Sequence, residues 1–584
     1  MGVKYDFIDK ILEQHQLAMP DLKVLRPDYE HYKTFLYQHS GKVVANVEGI
    51  PSVKNANSKL AADKHLAFFQ HAGRETFDLL VTPEYSCPLS AVHDFVKSAD
   101  FDHPGSLMVI GCESSTLNEL ENFSNDLNSD SLVVLMESDV FASKENKFVD
   151  PVAYVFVTKK AGQDKYIRVV LFQFKTYPMG ATPIENEFMA FGTKRYIFRN
   201  DEESIYLATI ICSEGLNIDL ETDLRQFIDK PYLLLHPQLN LSPRTANLKQ
   251  YRTNFFNNCA QDTSVEILCY NWAKDSAIDG EVLTYAHSAI YTKTRKILID
   301  DHRINRNDKL GLYYNNWKNA KSSILIFDEN EAVFCFLNSK VSKRRLNVQN
   351  QARYGPKMLE RLVWEGKWVV VDNTLNQSLV EYCRKMGGDF EYFFNENMSF
   401  INRERLLSIT VGEISGKEWV SPDKNEFFKI SDDEYSRRIN FFQDPDTKDL
   451  KIGWLNKYAT FSTSLIKNVD WMPRNGFFQD LISDCKIHYS SPNYNYNVVG
   501  VNGLPACIVY AGVTDPSKVE ELRALMLKSH PDDNTFPNRL LIVYHYFGDR
   551  EVDPKPPVPN FSPTAPSFST NNNDNPTAIN RTKE

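Results

Sequence analysis

LLVTPEYS at residues 79–86 ends an apolar run in a proline and a carboxylate, Glu84. Two later segments have the same form, because VVLFQFKTYP carries Lys175 and LATIICSEGL carries Cys212 at the end of an apolar run. A thiol becomes a strong nucleophile beside a base or a cation, and a carbonyl under attack needs a donor or a cation for its oxyanion. One carboxylate, one amine and one thiol supply these roles, so the three segments together predict an enzyme.

The three reactive side chains are predicted to lie at the ends of buried strands. Short apolar runs bounded by turn residues are typical of such strands, and the predicted strands are 77–81, 153–159, 166–174 and 205–211. Because α/β sheets carry their chemistry at strand ends, we expect the carboxylate, the amine and the thiol to share one rim.

Over roughly residues 40–330 the order of the motifs resembles that of the nitrilase, or carbon-nitrogen hydrolase, superfamily. The other segments that carry the resemblance are a strand at 43–47, a helix at 56–73, Gly111 to Glu113, Glu185 seven residues before Gly192, Pro237, Arg252, Asn271 with Trp272, and Ser288 to Ile290. The resemblance implies an α/β fold, a four-layer αββα sandwich in which two mixed sheets are faced by helices. It also implies at least a homodimer.

The resemblance implies a role for each of four residues. Cys212 would attack a carbonyl or nitrile carbon, and Glu84 would take the thiol proton and later activate water. Lys175 would stabilise the oxyanion, and Glu185 would keep Lys175 charged and oriented. A desolvated pocket raises the pKa of a carboxylate such as Glu84, as proton shuttling requires.

The segment after the nucleophile departs from the family pattern. Ser213 stands where relatives often carry Tyr or Trp, whereas Glu214 fits the acidic position that follows. The resemblance implies that Ser213, Glu214 and Pro237 bind the substrate, a small or peptide-like amide. The polar stretch 114–149 is longer than in the family, and it is predicted to be either a lid over the site or a solvated insertion.

A chain of 584 residues is too long for one core, so two domains and a tail are expected. A second α/β domain is predicted from strands at 365–372, 505–510 and 540–546 and from helices at 376–386 and 517–527. The predicted division is 1–40, an N-terminal helical extension; 41–340, the nitrilase-like domain; 341–358, a basic linker; 359–548, the C-terminal α/β domain; and 549–584, a Pro-, Ser- and Asn-rich disordered tail.

Composition excludes several classes of protein. The net charge of −10 argues against nonspecific nucleic-acid binding by the whole surface. Nine cysteines without a CxxC pair indicate neither a zinc site nor a disulfide framework, which favours the reducing cytoplasm. The sequence contains no apolar stretch of about 18 residues and no GxxxxGK[ST] loop, so no membrane contact, metal or cofactor is predicted.

Two classes of function therefore remain. The first is a cysteine-dependent amidase that acts through a thioester on Cys212. The second is a nitrilase-like effector or scaffold, similar in architecture to some bacterial defence proteins, in which the domain serves oligomerisation or a partner-controlled activity. The C-terminal half would then contact a protein or nucleic-acid partner.

Overall fold

A computed structural model of the protein describes residues 3–98, 103–137, 140, 147–179, 183–200, 204–218, 230–240, 246–258, 265–282, 288–293, 311–316, 322–328, 330–339, 356–371, 384–386, 409–410, 412, 453, 455–466, 486–488, 496–500, 503–528, 533–545 and 560–562. The chain divides into two units, of which the first comprises residues 1–298, 307–315 and 319–374. Its strands are β1 Lys4–Phe7, β2 His31–Gln38, β3 Lys42–Asn46, β4 Ser52–Asn55, β5 Leu79–Cys87, β6 Leu107–Cys112, β7 Ser115–Thr116, β8 Leu132–Leu135, β9 Phe148–Val149, β10 Pro151–Lys159, β11 Tyr166–Phe174, β12 Lys194–Phe198, β13 Tyr206–Thr209, β14 Tyr232–Pro237, β15 Val265–Tyr270, β16 Ala277–Ile278, β17 Glu281–Val282, β18 Ala289–Lys293, β19 Gly311–Asn316, β20 Ser322–Phe327, β21 Ala332–Ser339, β22 Lys357–Trp364 and β23 Trp368–Val371. Its α-helices are α1 Ile8–Gln14, α2 Ser58–Arg74, α3 Leu89–Lys97, α4 Leu117–Leu127, α5 Pro183–Phe188 and α6 Ala246–Asn258.

Within the described residues, two large mixed sheets dominate the first unit. A nine-stranded sheet has the order β23-β22-β21-β2-β5-β6-β10-β11-β8, and an eight-stranded sheet has the order β1-β12-β13-β14-β15-β18-β20-β19. The two sheets contact each other, since Gln173 on β11 donates to the carbonyl of Thr209 on β13 at 3.1 Å. The prediction of an α/β fold is confirmed.

Helices α2, α3 and α4 pack on the nine-stranded sheet through an apolar core. Helix α2 begins where the side chain of Asn57 accepts the N–H of Leu60, and it buries Phe68, Phe69 and Ala72 on one face. Each fully buried large apolar side chain of this kind contributes about 1.5–3 kcal/mol. The helix at 56–73 and the hairpin of β10 and β11 are therefore confirmed by the structure.

The first forty residues are more than a helical extension. Helix α1 is present, but β1 pairs in parallel with β12, and β2 lies in the interior of the nine-stranded sheet between β5 and β21. The sequence of β2, HYKTFLYQ, is buried over its last five residues, so it lacks the polar and apolar alternation that marks a half-buried strand. The strand expected at 43–47 is β3, which belongs to a separate small sheet with β4, β16 and β17.

The long stretch 114–149 is folded structure where the structure describes it, rather than a lid or a solvated loop. Thr116 and Glu119 form a capping box that starts α4, and β8 then joins β11 in parallel at the edge of the nine-stranded sheet. The capping-box pattern T-x-x-E was the sequence signal for this helix. The predicted insertion therefore extends the core of the unit.

The first unit also continues past the predicted domain boundary near residue 358, as far as residue 374. Strands β22 and β23 continue the nine-stranded sheet beyond β21, so the strand predicted at 365–372 belongs to the first unit. Most of the predicted basic linker and most of the helix predicted at 376–386 lie outside the described residues.

The second unit contains the predicted strand, helix and strand. Its strands are β24 Lys486–Ile487, β25 Val498–Val499, β26 Pro505–Val513, β27 Leu540–His545 and β28 Asn560–Ser562, and its α-helices are α7 Pro516–Lys528 and α8 Phe536–Arg539. Strands β26 and β27 pair in parallel, which confirms this part of the prediction. Within the predicted disordered tail, β28 instead pairs with β27. In the described part of the chain, no helix combines the length and the apolar character needed to cross a membrane.

Candidate active site

Glu84 lies in an irregular segment of β5. The register between β5 and β6 shifts between Thr82 and Cys87, and Tyr85 adopts a left-handed φ of 56°. Gly111 on β6 makes this path available, because a Cβ at that position would lie 2.0 Å from the carbonyl oxygen of Pro83. The close approach of two backbones therefore fixes where the carboxylate leaves the sheet.

The fully buried carboxylate of Glu84 is held by two donors. Its Oε1 accepts from Nζ of Lys175 at 2.8 Å, and its Oε2 accepts the backbone N–H of Leu239 at 2.7 Å. The indole N–H of Trp272 donates to the backbone carbonyl of Glu84 at 2.7 Å. Side chain and backbone are thus both fixed, the latter by one of the residues that carried the family resemblance.

Lys175 follows β11, and its ammonium group is fully buried between carboxylates. Nζ donates to Oε1 and Oε2 of Glu185 at 2.9 and 3.0 Å. Glu185 also accepts the hydroxyl of Tyr85 at 3.0 Å and the backbone N–H of Met179 at 2.5 Å. The structure thus brings the predicted residues Glu84, Lys175 and Glu185 into direct contact.

Cys212 starts a short 3₁₀ turn, Cys212–Leu216, directly beyond the predicted strand. Its φ of 40° is left-handed, and strain of this kind in a residue other than glycine is common at functional sites. The thiol lies 3.9 Å from the carbonyl oxygen of Leu239, and the charges of Glu84 and Lys175 both act on it. The backbone of Leu239 therefore links the two groups, because its N–H donates to the carboxylate of Glu84 and its carbonyl accepts from the thiol of Cys212.

His236 supports the strained turn, although it is not among the residues predicted from the sequence. Its Nε2 lies 2.8 Å from the carbonyl oxygen of Cys212, which can only accept, so Nε2 carries the proton. Nδ1 contacts the hydroxyl of Tyr251. Burial lowers the pKa of His236 to about 3, so the ring is neutral. Its position one residue before Pro237, at a predicted strand end, was the available signal.

The three predicted substrate-binding residues have contacts within the protein. Oγ of Ser213 donates to the carbonyl of Tyr177 at 2.9 Å. Pro237 ends β14, two residues before Leu239. Glu214 is fully buried, and its carboxylate is occupied by backbone donors on either side of the site. These contacts favour a positioning role for Glu214 rather than a substrate contact.

Burial and neighbouring charges shift the pKa values of Glu84, Cys212 and Lys175. Burial raises the pKa of Glu84, and Lys175 opposes that rise without cancelling it. Burial and the charge of Glu84 raise the pKa of the Cys212 thiol well above its usual value. Burial acts against the charge of Lys175, but Glu185 and Glu84 outweigh it and hold the Lys175 pKa well above its usual value. The resting centre therefore contains an ammonium and a neutral thiol.

Asp150, directly before β10, is a further buried carboxyl in the centre and is not among the residues predicted from the sequence. Oxygens of Glu84, Asp150 and Glu185 lie within 4.8 Å of one another, a spacing that a cation can bridge. The Lys175 ammonium already donates to two of these groups and supplies positive charge there, so we assign no metal to them. An acidic residue directly before the apolar run 151–157 was the sequence signal.

No protein-family model matches this chain, and no curated protein matches it either. Among solved structures, the chain is similar to a glutamine-dependent NAD+ synthetase from Acinetobacter baumannii in complex with adenosine diphosphate, with 12% sequence identity and a TM-score of 0.30. The match covers 54% of this chain and 48% of that chain, so the chain spans about half the length of that structure. The functional assignment therefore depends on the geometry of the site.

Proposed function

We propose that the first unit is a cysteine-dependent carbon-nitrogen hydrolase of the nitrilase type, with Cys212 as nucleophile, Glu84 as general base and Lys175 as the oxyanion-stabilising cation. The observation that carries this proposal is the fully buried ammonium of Lys175, which lies 2.8 Å from Glu84 and 2.9 Å from Glu185. Its positive charge favours the thiolate form of Cys212. A preorganised buried cation stabilises developing negative charge far better than water does.

In the first half-reaction, Glu84 takes the thiol proton as Sγ of Cys212 attacks the carbonyl carbon of an amide. Lys175 stabilises the tetrahedral oxyanion, together with the backbone N–H of Ser213. The carbon-nitrogen bond then breaks, and Glu84 returns the proton to the leaving amine. The products of this step are a thioester on Cys212 and a free amine.

In the second half-reaction, water replaces the amine. Glu84 takes a proton from the water, whose oxygen attacks the thioester carbon, and the proton passes to the departing thiolate of Cys212. A carboxylic acid is released. The raised pKa of Glu84 suits a group that accepts and returns a proton twice in each cycle.

The proposal includes the four-layer arrangement and a homodimer. Two mixed sheets in contact and the helices α2, α3 and α4 on the nine-stranded sheet support the layered arrangement. A molar-mass measurement by light scattering tests the dimer, which a monomer over the whole concentration range contradicts.

Alkylation by iodoacetamide, followed by intact-mass spectrometry, tests the nucleophile. We expect one fast modification, at Cys212, which Cys212→Ala removes and Glu84→Gln slows by about 100-fold, the usual range for losing a general base. Cys335→Ala is the matched control, because Cys335 is a buried free cysteine on β21 and its charged neighbours, Lys33, Glu75 and Glu360, lie outside the centre. Equal rates for Cys212 and the other cysteines contradict the proposal.

Lys175→Ala tests the cation, and Lys64→Ala is its control. Nζ of Lys64 also forms an ion pair, at 2.7 Å from Glu331, but that pair is partly exposed and lies outside the centre. Lys175→Ala breaks a fully buried pair and should cost about 3–5 kcal/mol of stability, whereas Lys64→Ala breaks a partly exposed pair and should cost less. Only Lys175→Ala should slow the labelling of Cys212.

The effector or scaffold role is the second candidate, and the burial of Cys212 favours it. The residue is 3% exposed, and its thiol is neutral at rest. A site closed in this way suits a domain that acts only after a partner opens it. Slow labelling of Cys212 in the free protein, together with a stable complex in native mass spectrometry, would support this role over the first.

A further inference from the structure

The proposed mechanism does not use the side chain of Asp150. The residue is fully buried, and its backbone carbonyl accepts the N–H of Lys175 at 3.0 Å. Oδ2 lies 3.6 Å from Nζ of Lys175, beyond hydrogen-bond distance. Among the residues that the structure describes, no donor is hydrogen-bonded to either carboxyl oxygen. A buried ionised carboxylate without a donor is costly, so this arrangement needs an explanation.

Lys175 cannot supply the missing donor. An ammonium group has three protons, and those of Lys175 face Oε1 of Glu84 at 2.8 Å and the two oxygens of Glu185 at 2.9 and 3.0 Å. No proton is left for Asp150. The proton that satisfies Asp150 must therefore be its own.

The charge of the centre leads to the same conclusion. The titratable groups that face Asp150 are Glu84 and Tyr85 on β5, Cys112 on β6, Lys175 after β11 and Glu185 on α5. If all three carboxyls were ionised, they would outnumber the single ammonium by two charges in a buried site. Excess negative charge is costly in a buried site, and one bound proton removes half of it.

We propose that Asp150 is a positioning residue that keeps its carboxyl proton at neutral pH and donates it in a hydrogen bond to the carboxylate of Glu84. Glu84 then has three donors, from Asp150, Lys175 and the backbone of Leu239, which hold it ionised and oriented as the base. This last consequence rests on the proposed function, whereas the protonation of Asp150 does not.

The electrostatic environment agrees with this assignment. Burial and the charge of Glu84 raise the pKa of Asp150 well above its usual value, although Lys175 opposes the rise. The contact between the two carboxyls acts in the opposite direction on Glu84, whose pKa it lowers. The proton is therefore assigned to Asp150 rather than to Glu84.

Asp150→Asn tests the protonation, because the amide keeps a donor for Glu84 and cannot ionise. Above about pH 4 the folded wild type holds a proton on Asp150 that the unfolded chain lacks, so the contribution of Asp150 makes rising pH favour unfolding. Relative to the variant, the unfolding equilibrium constant of the wild type should increase about tenfold per pH unit until Asp150 ionises. Identical pH dependence in the two proteins overturns the proposal. The control is Asp328→Asn, since Arg361 binds that buried carboxylate at 2.9 Å; it should lower stability and keep the wild-type pH dependence.

Iodoacetamide labelling of Cys212 tests the positioning role. Asp150→Asn should keep nearly the wild-type rate at pH 7, whereas Asp150→Ala should slow it about tenfold or more, as expected for one lost buried hydrogen bond to a charged group. A slow Asp150→Asn variant overturns the assignment, because an ionised Asp150 would then be required. If Cys212 is unreactive even in the wild type, the proposed function fails while the unfolding comparison still decides the protonation. Should the variants not fold, infrared spectroscopy of wild-type protein with isotope-labelled aspartate must show a protonated carboxyl band at pH 8, and its absence overturns the proposal.

Discussion

Glu214 accepts the backbone N–H of Thr176 through Oε1 at 2.7 Å, and this contact connects the turn of the thiol to the strand end of the amine. Its Oε2 accepts the N–H of Ile211 at 2.6 Å, directly before Cys212. The guanidinium of Arg195 lies 3.4 Å from the same oxygen. One buried carboxylate thus sets the distance between the neighbours of Lys175 and Cys212.

Glu214→Ala should therefore affect stability and reactivity together. The change leaves the N–H groups of Ile211 and Thr176 without their acceptor and the buried guanidinium of Arg195 without its counter-charge, at a cost of about 3–5 kcal/mol for a broken buried pair. Urea unfolding measures the stability, and iodoacetamide labelling measures the reactivity of Cys212. As a control, Glu266→Ala removes another buried carboxylate, one bound by the hydroxyls of Tyr32 and Thr292. It should cost stability and leave the labelling rate unchanged, and a similar slowing in both variants contradicts the role of Glu214.

Trp272→Phe should remove one hydrogen bond from the backbone of Glu84 while keeping an aromatic ring. The unpaired carbonyl costs about 1–3 kcal/mol, and a less restrained Glu84 should slow the labelling of Cys212. Trp368→Phe is the matched control, because that indole N–H donates to the carbonyl of Lys64 at 3.0 Å, outside the centre. Unequal labelling rates with comparable losses of stability are the expected result.

His236→Gln should change the pH dependence of stability. The folded state keeps His236 neutral with a pKa of about 3, whereas the unfolded chain binds a proton below about pH 6.5. This histidine's contribution is complete above pH 6.5 and is lost at about 1.4 kcal/mol per pH unit as the pH falls towards 3. The wild type should thus lose more stability than the variant between pH 6.5 and 4.

The control for this prediction is His65→Gln. Burial also lowers the pKa of His65 well below its usual value, but its ring contacts Ala61 and Ser86 instead of the thiol turn. Both variants should lose less stability than the wild type as the pH falls below about 6.5. Only His236→Gln should slow the labelling of Cys212. Unchanged labelling in His236→Gln contradicts its support of the turn.

Gly111→Ala should prevent folding of the first unit or destabilise it severely, because the new methyl would lie 2.0 Å from the Pro83 carbonyl oxygen. Overpacking of this kind costs about 1–3 kcal/mol or more. Gly162→Ala separates backbone strain from collision, since Gly162 has a φ of 74° and open space around it. That variant should lose only about 1 kcal/mol, the ordinary penalty for a left-handed residue. Soluble expression and thermal unfolding measure both.

The sequence predicted the strand ends that carry Glu84, Lys175 and Cys212 better than it predicted the contacts that hold these side chains. Apolar runs that end in Glu84, Lys175 and Cys212 are local patterns, so the sequence alone predicts these strand ends. Besides Lys175, the donors to Glu84 are Leu239 and Trp272, more than 150 residues away, and no local pattern specifies such contacts.

Strands β2 and β8 were not predicted from the sequence, and the reason is physical. Strand β2 lies in the interior of its sheet, whereas β8 is a short strand at the edge and owes its place to pairing with β11. Strand β23 was predicted, at 365–372, but nothing in its sequence or in that of β22 indicates which sheet the two strands join. Pairing between distant strands is decided by tertiary packing, which a one-dimensional pattern does not contain.

The order of the strands in the nine-stranded sheet also affects how the chain folds during synthesis. Strand β2 pairs with β21, and the hydroxyl of Tyr37 donates to Glu331 across 294 residues of sequence. One edge of β2 therefore stays unpaired on the ribosome while all strands of the eight-stranded sheet except β1 are being made. Unpaired strand edges in long-lived nascent chains invite aggregation and chaperone binding. A stalled chain that ends before residue 332 should thus be retained by chaperones, whereas one that extends past 371 should be released.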